Sequence, residues 1–441
     1  MASVIKIYAL FLGSALLMFG GGLQGLLLSV RGAEEGFSLL ALGLIGTGWS
    51  VGFVTGSITV PLVVRNVGHI RAFSVMAAIG TVTILLNLLL VNDISWILLR
   101  ALSGFCFAGA AMIVESWLNE VAENKSRGTI FSVYTTINMT ASTAGQIAMS
   151  ITGTAGYVPF IVGAISFICA VLPTALTSSP QPRPLASAKL DLGLLIRTSP
   201  VAAVAAFCCG MANGSFGTLA PVYGYEQGLN AGGIAFLFAI AAIAGAAGQI
   251  PFGRLSDRID RRWVMVGLGG GAALTGAVIF VLNPGAGWLM YVLFAIYGLT
   301  ANPLYAIAVA HANDFAREGE FARVAGGMLL ILGVGLAIGP TLASLLMGGI
   351  SPVALFLVTA VFHAVITGFA YWRMSQRKSL DAADRAPFQP MGSDKQVTLE
   401  SIELDPRADG DAPEMGHAEA PVPDELMTQN EDGRDVQNST V

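Results

Sequence analysis

Gly253-Arg254-Leu255-Ser256-Asp257-Arg258-Ile259-Asp260-Arg261-Arg262 packs six ionisable side chains into ten residues, between two long apolar runs. A damaged copy, Pro61-Leu62-Val63-Val64-Arg65-Asn66-Val67-Gly68-His69-Ile70, lies 192 residues earlier, also between two apolar runs. A charged knot at the same place in each half of an apolar chain points to a duplicated membrane protein.

Composition agrees. Of 441 residues, 54% are hydrophobic and 12% charged, and the mean hydropathy is +0.70. A soluble core of this size needs more charged surface, whereas long apolar runs with few charges suit a bilayer. The net charge of −5 divides into −9 over residues 375–441 and +4 over the rest. The acidic balance therefore belongs to the tail and does not indicate a nucleic-acid or acidic partner. Cys106, Cys169, Cys208 and Cys209 all lie inside apolar runs, where a thiol acts as a small hydrophobe; no metal or disulfide spacing follows.

Twelve apolar segments are long enough to cross about 30 Å of hydrocarbon as helix. They cover roughly 5–30, 37–60, 72–91, 96–118, 129–152, 157–177, 200–224, 231–252, 263–283, 287–311, 324–348 and 352–373. Lys and Arg gather after the even-numbered segments and at both ends, while the other side has little beyond Arg31 and Arg100. The positive-inside rule then places both termini in the cytoplasm. The expected organisation is an N-terminal six-helix bundle (1–177), a cytoplasmic linker (178–199), a C-terminal bundle (200–373) and an acidic tail (374–441) too polar to fold alone.

The halves align beyond the charged knot. Gly22 and Gly25 lie over Gly214 and Gly217 at an offset of 192. From the fourth segment the offset is 194, pairing Gly104 with Gly298, Asn119-Glu120 with Asn313-Asp314, and Gly145 with Gly339. A series at nearly constant offset indicates two pseudo-symmetric halves.

The decapeptide resembles the G-x-x-x-D-R-x-G-R-R signature of the major facilitator superfamily, with Asp260 where the second Gly is usual. Glu35-Gly36-Phe37-Ser38, Gly68-His69-Ile70-Arg71, Glu115-Ser116-Trp117-Leu118-Asn119, Arg127-Gly128 and His311-Ala312-Asn313-Asp314 resemble its bacterial YcaD-like branch. The likeness covers about residues 1–373. It implies an all-α, twelve-helix membrane protein in two six-helix bundles: a monomeric inner-membrane secondary transporter, coupled to protons. Its substrate would sit near the midplane and be exposed to the two sides in turn.

In such a fold the first, fourth, seventh and tenth spans line the cavity, with the second, fifth, eighth and eleventh beside them. Polar or amphipathic residues there are Gln24, Trp49, Arg100, Asn138, Gln146, Asn213, Gln249, Tyr297, Asn302 and Tyr305. Each must face protein, water or ligand, so each is either an interhelical bond or a substrate contact. Arg100 could pair with Asp93 or Glu34 as an anchor, or act on substrate. Glu115 and His311 are the proton-coupling candidates, because both titrate when partly buried; the alternative for Glu115 is a structural gate. Gate candidates are Gly253, Asp257, Arg258, Arg261, Arg262 and Asp314, with Arg65, Arg71, Glu120 and Arg127 in the other half. Asp257 is expected near the cytoplasmic start of a helix or tight turn, held by amides. The N-terminal copy has Arg65 at that place, so an Asp-based latch belongs to the C-terminal half.

No nucleotide-binding loop, catalytic triad or zinc pattern appears, and neither a cofactor nor a metal is expected. The sparse charge suggests a neutral or amphipathic substrate, with export favoured over uptake. The competing reading is a membrane receptor or scaffold acting through the tail.

Overall fold

The computed structural model describes residues 2–121, 127–175, 191–317 and 320–377, with Leu380, Arg385, Phe388, Gln389 and Met391 of the tail. Among the described residues there are fourteen helices and no strand. They are α1 (Ala2–Glu34), α2 (Leu39–Val67), α3 (His69–Leu89), α4 (Asp93–Val121), α5 (Arg127–Thr152), α6 (Val158–Cys169), α7 (Val171–Ala175), α8 (Leu192–Thr198), α9 (Pro200–Glu226), α10 (Ala231–Arg258), α11 (Arg261–Leu282), α12 (Trp288–Asp314), α13 (Phe321–Gly349) and α14 (Ala354–Met374).

Each apolar segment read from the sequence is helical, with α6 and α7 sharing the sixth. Ten helices are long and apolar enough to cross a membrane. α5 has the length but carries nine Ser and Thr residues. α6 and α7 part at Ala170, which keeps helical angles and bonds Ser166 O; Pro173 lacks the amide that would bond Cys169 O. Helix starts follow capping chemistry: Ser38, Asn230 and Ser199 each accept a backbone amide three residues on, and Pro200 follows Ser199 at the first helical position.

Two boundaries differ from the sequence reading. α2 runs on to Val67 and α10 to Arg258, so the first six residues of the decapeptide are helix and not loop. Asp257 is therefore at a helix C-terminus. The carboxylate at a helix start is Asp260, which caps α11 by accepting from Arg262 N at 3.0 Å. This accounts for the departure from the signature. At the matching turn Gly68 has φ 86°, a left-handed value that favours glycine, whereas Asp260 has φ −55° and leaves the position open to a capping side chain. The linker also contains structure: α8 packs on α13.

The pseudo-symmetry extends to single contacts. α1 packs on α5 as α9 does on α13, α2 on α4 as α10 on α12, and α3 on α6 as α11 on α14. A Cβ at Gly104 would lie 2.1 Å from Trp49 O, and one at Gly298 would lie 2.1 Å from Ala241 O. Trp49 and Ala241 are themselves 192 residues apart. Gly145 likewise meets Phe19 O at 2.0 Å and Gly339 meets Met211 O at 2.3 Å, again with carbonyls 192 apart. Such approaches exclude any side chain and draw helix backbones together where no water competes.

The halves meet through α2 and α13, α5 and α10, and α1 and α9. The hydrogen bonds joining α2 to α13 lie toward the end opposite the decapeptide. Thr47 Oγ1 donates to Ala337 O at 2.6 Å and lies 2.8 Å from Thr341 Oγ1. Nearby, Gly43 abuts Ser344, and Gly46 abuts Thr218.

Candidate functional site

A cavity of about 230 Å³ lies between the halves, with α1, α2, α4 and α5 on one wall and α9, α10 and α12 on the other. Its floor of space is set by glycine: Gly21, Gly22, Gly25 and Gly217 face it, and nothing would meet a Cβ at Gly25 within 4 Å. Six of the ten sequence-chosen residues line it: Trp49, Arg100, Gln146, Asn213, Gln249 and Asn302. Trp49 stacks on Phe53 at 5.2 Å and leans on Phe107 at 5.8 Å, while the Arg100 guanidinium carbon sits 5.8 Å over the Trp49 ring. Asn302 donates to Ala241 O at 3.3 Å.

The other four lie outside the lining. Gln24 accepts from Ser103 at 3.1 Å, and Asn138 accepts from Ser14 at 2.7 Å. Tyr297 stacks on Phe216 at 4.7 Å, and Tyr305 is buried in the core of the C-terminal half. Sequence reasoning missed Ser142, Thr143, Met139, Phe107, Phe216 and Phe238, which do line the cavity. The available signal was the Ser/Thr density of α5, too polar for a lipid-facing helix.

Glu115 and His311 have separate surroundings. Glu115 is fully buried and accepts from Tyr134 Oη at 2.8 Å, tying α4 to α5. One turn along α5, Asn138 reaches Ser14 of α1, extending a polar path across three helices. His311 Nδ1 is 2.8 Å from Ser199 Oγ at the start of α9, and its ring contacts Phe315.

At the decapeptide end, Arg261 and Asp314 form the centre of a buried cluster. Their side chains are 1% and 4% exposed. Arg261 Nε donates to Asp314 Oδ2 at 2.6 Å and Nη2 to Oδ1 at 3.2 Å, a forked pair. Its Nη1 also donates to Ser256 and Asp257, at 2.8 and 3.0 Å. Arg262 chelates Asp260 and donates to the carbonyls of Arg373 and Arg377, so it ties α11 to the end of α14. Burial raises the Asp260 carboxyl, but the Arg262 hydrogen bonds and charge outweigh it and hold the group below its ordinary value. Asp191 is also held low, by the Leu194 amide it caps and then by Arg323. These partners lie in the C-terminal half or the linker. Arg65, Arg71, Glu120 and Arg258 are exposed. Arg127 opens α5, with its side chain outside the described residues.

Where it is described, the tail packs against the C-terminal half. Gln249 exchanges two hydrogen bonds with the Met391 backbone, at 2.9 and 3.1 Å. Phe388 N donates to Asp257, and the Phe388 ring fills the space over Gly253. Arg385 donates to Ile259 O. The remaining tail, including the acidic stretch, lies outside the described residues.

Among the described residues no cluster of His, Cys, Asp or Glu could hold a metal ion. The chain matches a family model described as Major Facilitator Superfamily over residues 10–245 and 202–406. An uncharacterised transporter of that type, YcaD of Salmonella newport, is 25% identical over 338 residues, covering 74% of this chain and 85% of the relative. The solved nucleoside transporter NupG superposes with a TM-score of 0.66 at 13% identity, over 86% of this chain and 100% of that one. A bacterial homologue of the human lysosomal transporter Spinster, inward-facing and occupied, superposes with a TM-score of 0.69 at 15% identity, over 86% and 97%. These two likenesses concern the fold.

Proposed function

Because the chain belongs to the Major Facilitator Superfamily, we propose that it carries a small amphipathic molecule across a bacterial inner membrane by alternating access, driven by protons. The observation that carries this reading is the central cavity between duplicated halves that touch through α2 and α13. With the decapeptide end cytoplasmic, as the Lys and Arg distribution favours, the Thr47–Ala337 and Thr47–Thr341 contacts lie on the outer side. The state described is then one closed to the outside, and rocking must break those bonds. Glu115, buried and in contact with Tyr134, is the proposed proton carrier. The aromatic walls suit export of an amphipathic compound better than uptake of a strongly polar nutrient.

Ser142→Cys puts a thiol on the cavity wall and tests alternation without a known substrate. A membrane-impermeant maleimide should label it in both inverted and right-side-out vesicles, as the two states interconvert. Labelling from one side alone refutes alternating access. Truncation after residue 379 should leave two-sided labelling intact; its loss would favour a receptor or scaffold acting through the tail.

A further inference from the structure

Arg100 is the only charged side chain among the described residues lining the cavity. It is 7% exposed, its Nε has no partner, and its described contact is the face of Trp49. Both carboxylates that could have anchored it are engaged elsewhere. Asp93 accepts from the Ile94 amide at the start of α4, and Glu34 accepts from Thr154 at 2.5 Å and faces Arg31.

The internal duplication supplies a control. At the offset of 194 that superposes Gly104 on Gly298, Arg100 falls on Phe294, which is fully buried against Phe216 and Phe356. Trp49 falls on Ala241. The same helix pair therefore packs in the other half without charge, and the glycine contact that joins the helices is present in both. Helix pairing does not require the guanidinium. A guanidinium cannot shed its proton, and a charge inside a membrane protein faces a partner, a cavity or water. Here the face it presents is the central cavity.

We propose that Arg100 is the anion-recognition residue of the central site, and that the substrate is a small organic monocarboxylate with an apolar or aromatic body. The proposal rests on the transport reading above and narrows the sequence expectation of a neutral or amphipathic substrate to an amphipathic anion. One guanidinium matches one carboxylate as a two-pronged fork. A dianionic phosphate would call for more cations than the single one on these walls. Trp49, Phe107, Phe216 and Phe238 provide aromatic surface for the body, and the unpartnered Gln146 Oε1 can accept a hydrogen bond from a ligand hydroxyl or amide. The volume lies below the roughly 300–1,000 Å³ of drug-sized sites, so one or two rings fill it.

The test uses the purified full-length chain in detergent with three matched probe sets: phenylacetate, indole-3-acetate and 2-naphthoate. Each is compared with its primary amide and with an amine on the same ring system. The carboxylates should raise the thermal midpoint, while the amides and amines should not. Arg100→Gln should weaken carboxylate binding about 10- to 100-fold, the range for losing a bond to a charged group. Arg100→Lys, which keeps the charge but not the fork, should fall between. Ligand-free Arg100→Gln should melt no lower than wild type, since it removes a buried unpaired charge; a lower midpoint would make Arg100 a structural anchor and overturn the proposal. Equal stabilisation by amides or amines, or carboxylate binding unchanged in Arg100→Gln, overturns the anion site and leaves the transport reading standing. Silence from all three charge classes overturns the anion site, and the transport reading then stands or falls on the two-sided labelling alone.

Discussion

Replacing Asp314 should damage the C-terminal half more than any single change in the decapeptide's two acids, Asp257 and Asp260. Asp314 is 4% exposed and takes two hydrogen bonds from Arg261, which is 1% exposed. Asp314→Leu leaves a buried guanidinium with only part of its counter-charge. Removing one partner of a buried pair costs about 3–5 kcal/mol. Asp257, 3.0 Å from Nη1, retains some compensation and places the expected loss near the lower bound, about 3 kcal/mol. Asp257→Asn should cost only about 0.5–1 kcal/mol, because that side chain is 36% exposed and solvent screens it. A half of this size loses roughly 2–4 °C of midpoint per kcal/mol, so Asp314→Leu should lower it by about 6–12 °C. The assay is thermal unfolding in one detergent at one scan rate, since membrane proteins often unfold irreversibly. Arg261→Met combined with Asp314→Leu should recover most of the loss, giving a coupling of about 2 kcal/mol or more in the double-mutant cycle. Equal costs for Asp257→Asn and Asp314→Leu, or a double mutant as damaged as the sum of the singles, would refute the reasoning.

Asp260→Gly restores the usual signature residue but removes a cap and the Arg262 chelate, so it should destabilise by about 1–2 kcal/mol; a gain in midpoint would sink that assignment. Asp260 titrates below its ordinary value when folded, so its contribution is complete above pH ~4 and disappears as pH falls through the lowered folded value. The stability gap between wild type and Asp260→Asn should therefore be flat from pH 5 to 8 and shrink only in stronger acid. Gly104→Ala and Gly298→Ala should each cost about 1–3 kcal/mol by overpacking, with similar values if the duplication governs packing. Gly267→Ala, with nothing within 4 Å, is the neutral control. Glu115→Gln should remove the pH dependence of flux in proteoliposomes, and retained dependence would assign Glu115 to structure.

Most of the spans and the duplication were legible because a bilayer demands long apolar helices and because tight glycine contacts recur at fixed spacing. Gly104 and Gly298 could be paired from sequence alone, and their contacts superpose to a single carbonyl. The ends of α2 and α10 were harder. Charge after an apolar run reads as loop, yet residues 253–258 continue the helix beyond its apolar part. Arg100 and Gln146 line the cavity, whereas Tyr297 and Tyr305 lie outside it. A polar tip reveals that a residue needs a partner but not which face of the helix it occupies. Ser142 and Thr143 were overlooked for the opposite reason. Helical hydroxyls often return to their own backbone, as Thr143 does to Met139 O at 2.9 Å, so they give little outward sign.

The two copies of the charged knot now have distinct physical characters. In the sequence, the intact copy looked like a latch centred on Asp257. In the structure, Asp257 is the exposed member of a cluster whose buried centre is Arg261 with Asp314. Arg261 and Arg262 join the ends of α10, α11, α12 and α14, four helices of one half. The matching position to Arg261 in the other half is His69, which meets Ser116 at 3.3 Å and stacks on Trp117. At these matching positions the C-terminal half is thus braced by forked ion pairs and the N-terminal half, among the described residues, by an aromatic contact. Ion pairs of this burial resist shear, because displacing either partner leaves a charge uncompensated. An aromatic stack can slide at little cost, since dispersion is weak for each atom pair and not directional. Under the alternating access proposed above, the decapeptide end of the N-terminal half should therefore deform first and the C-terminal half should move as the stiffer body.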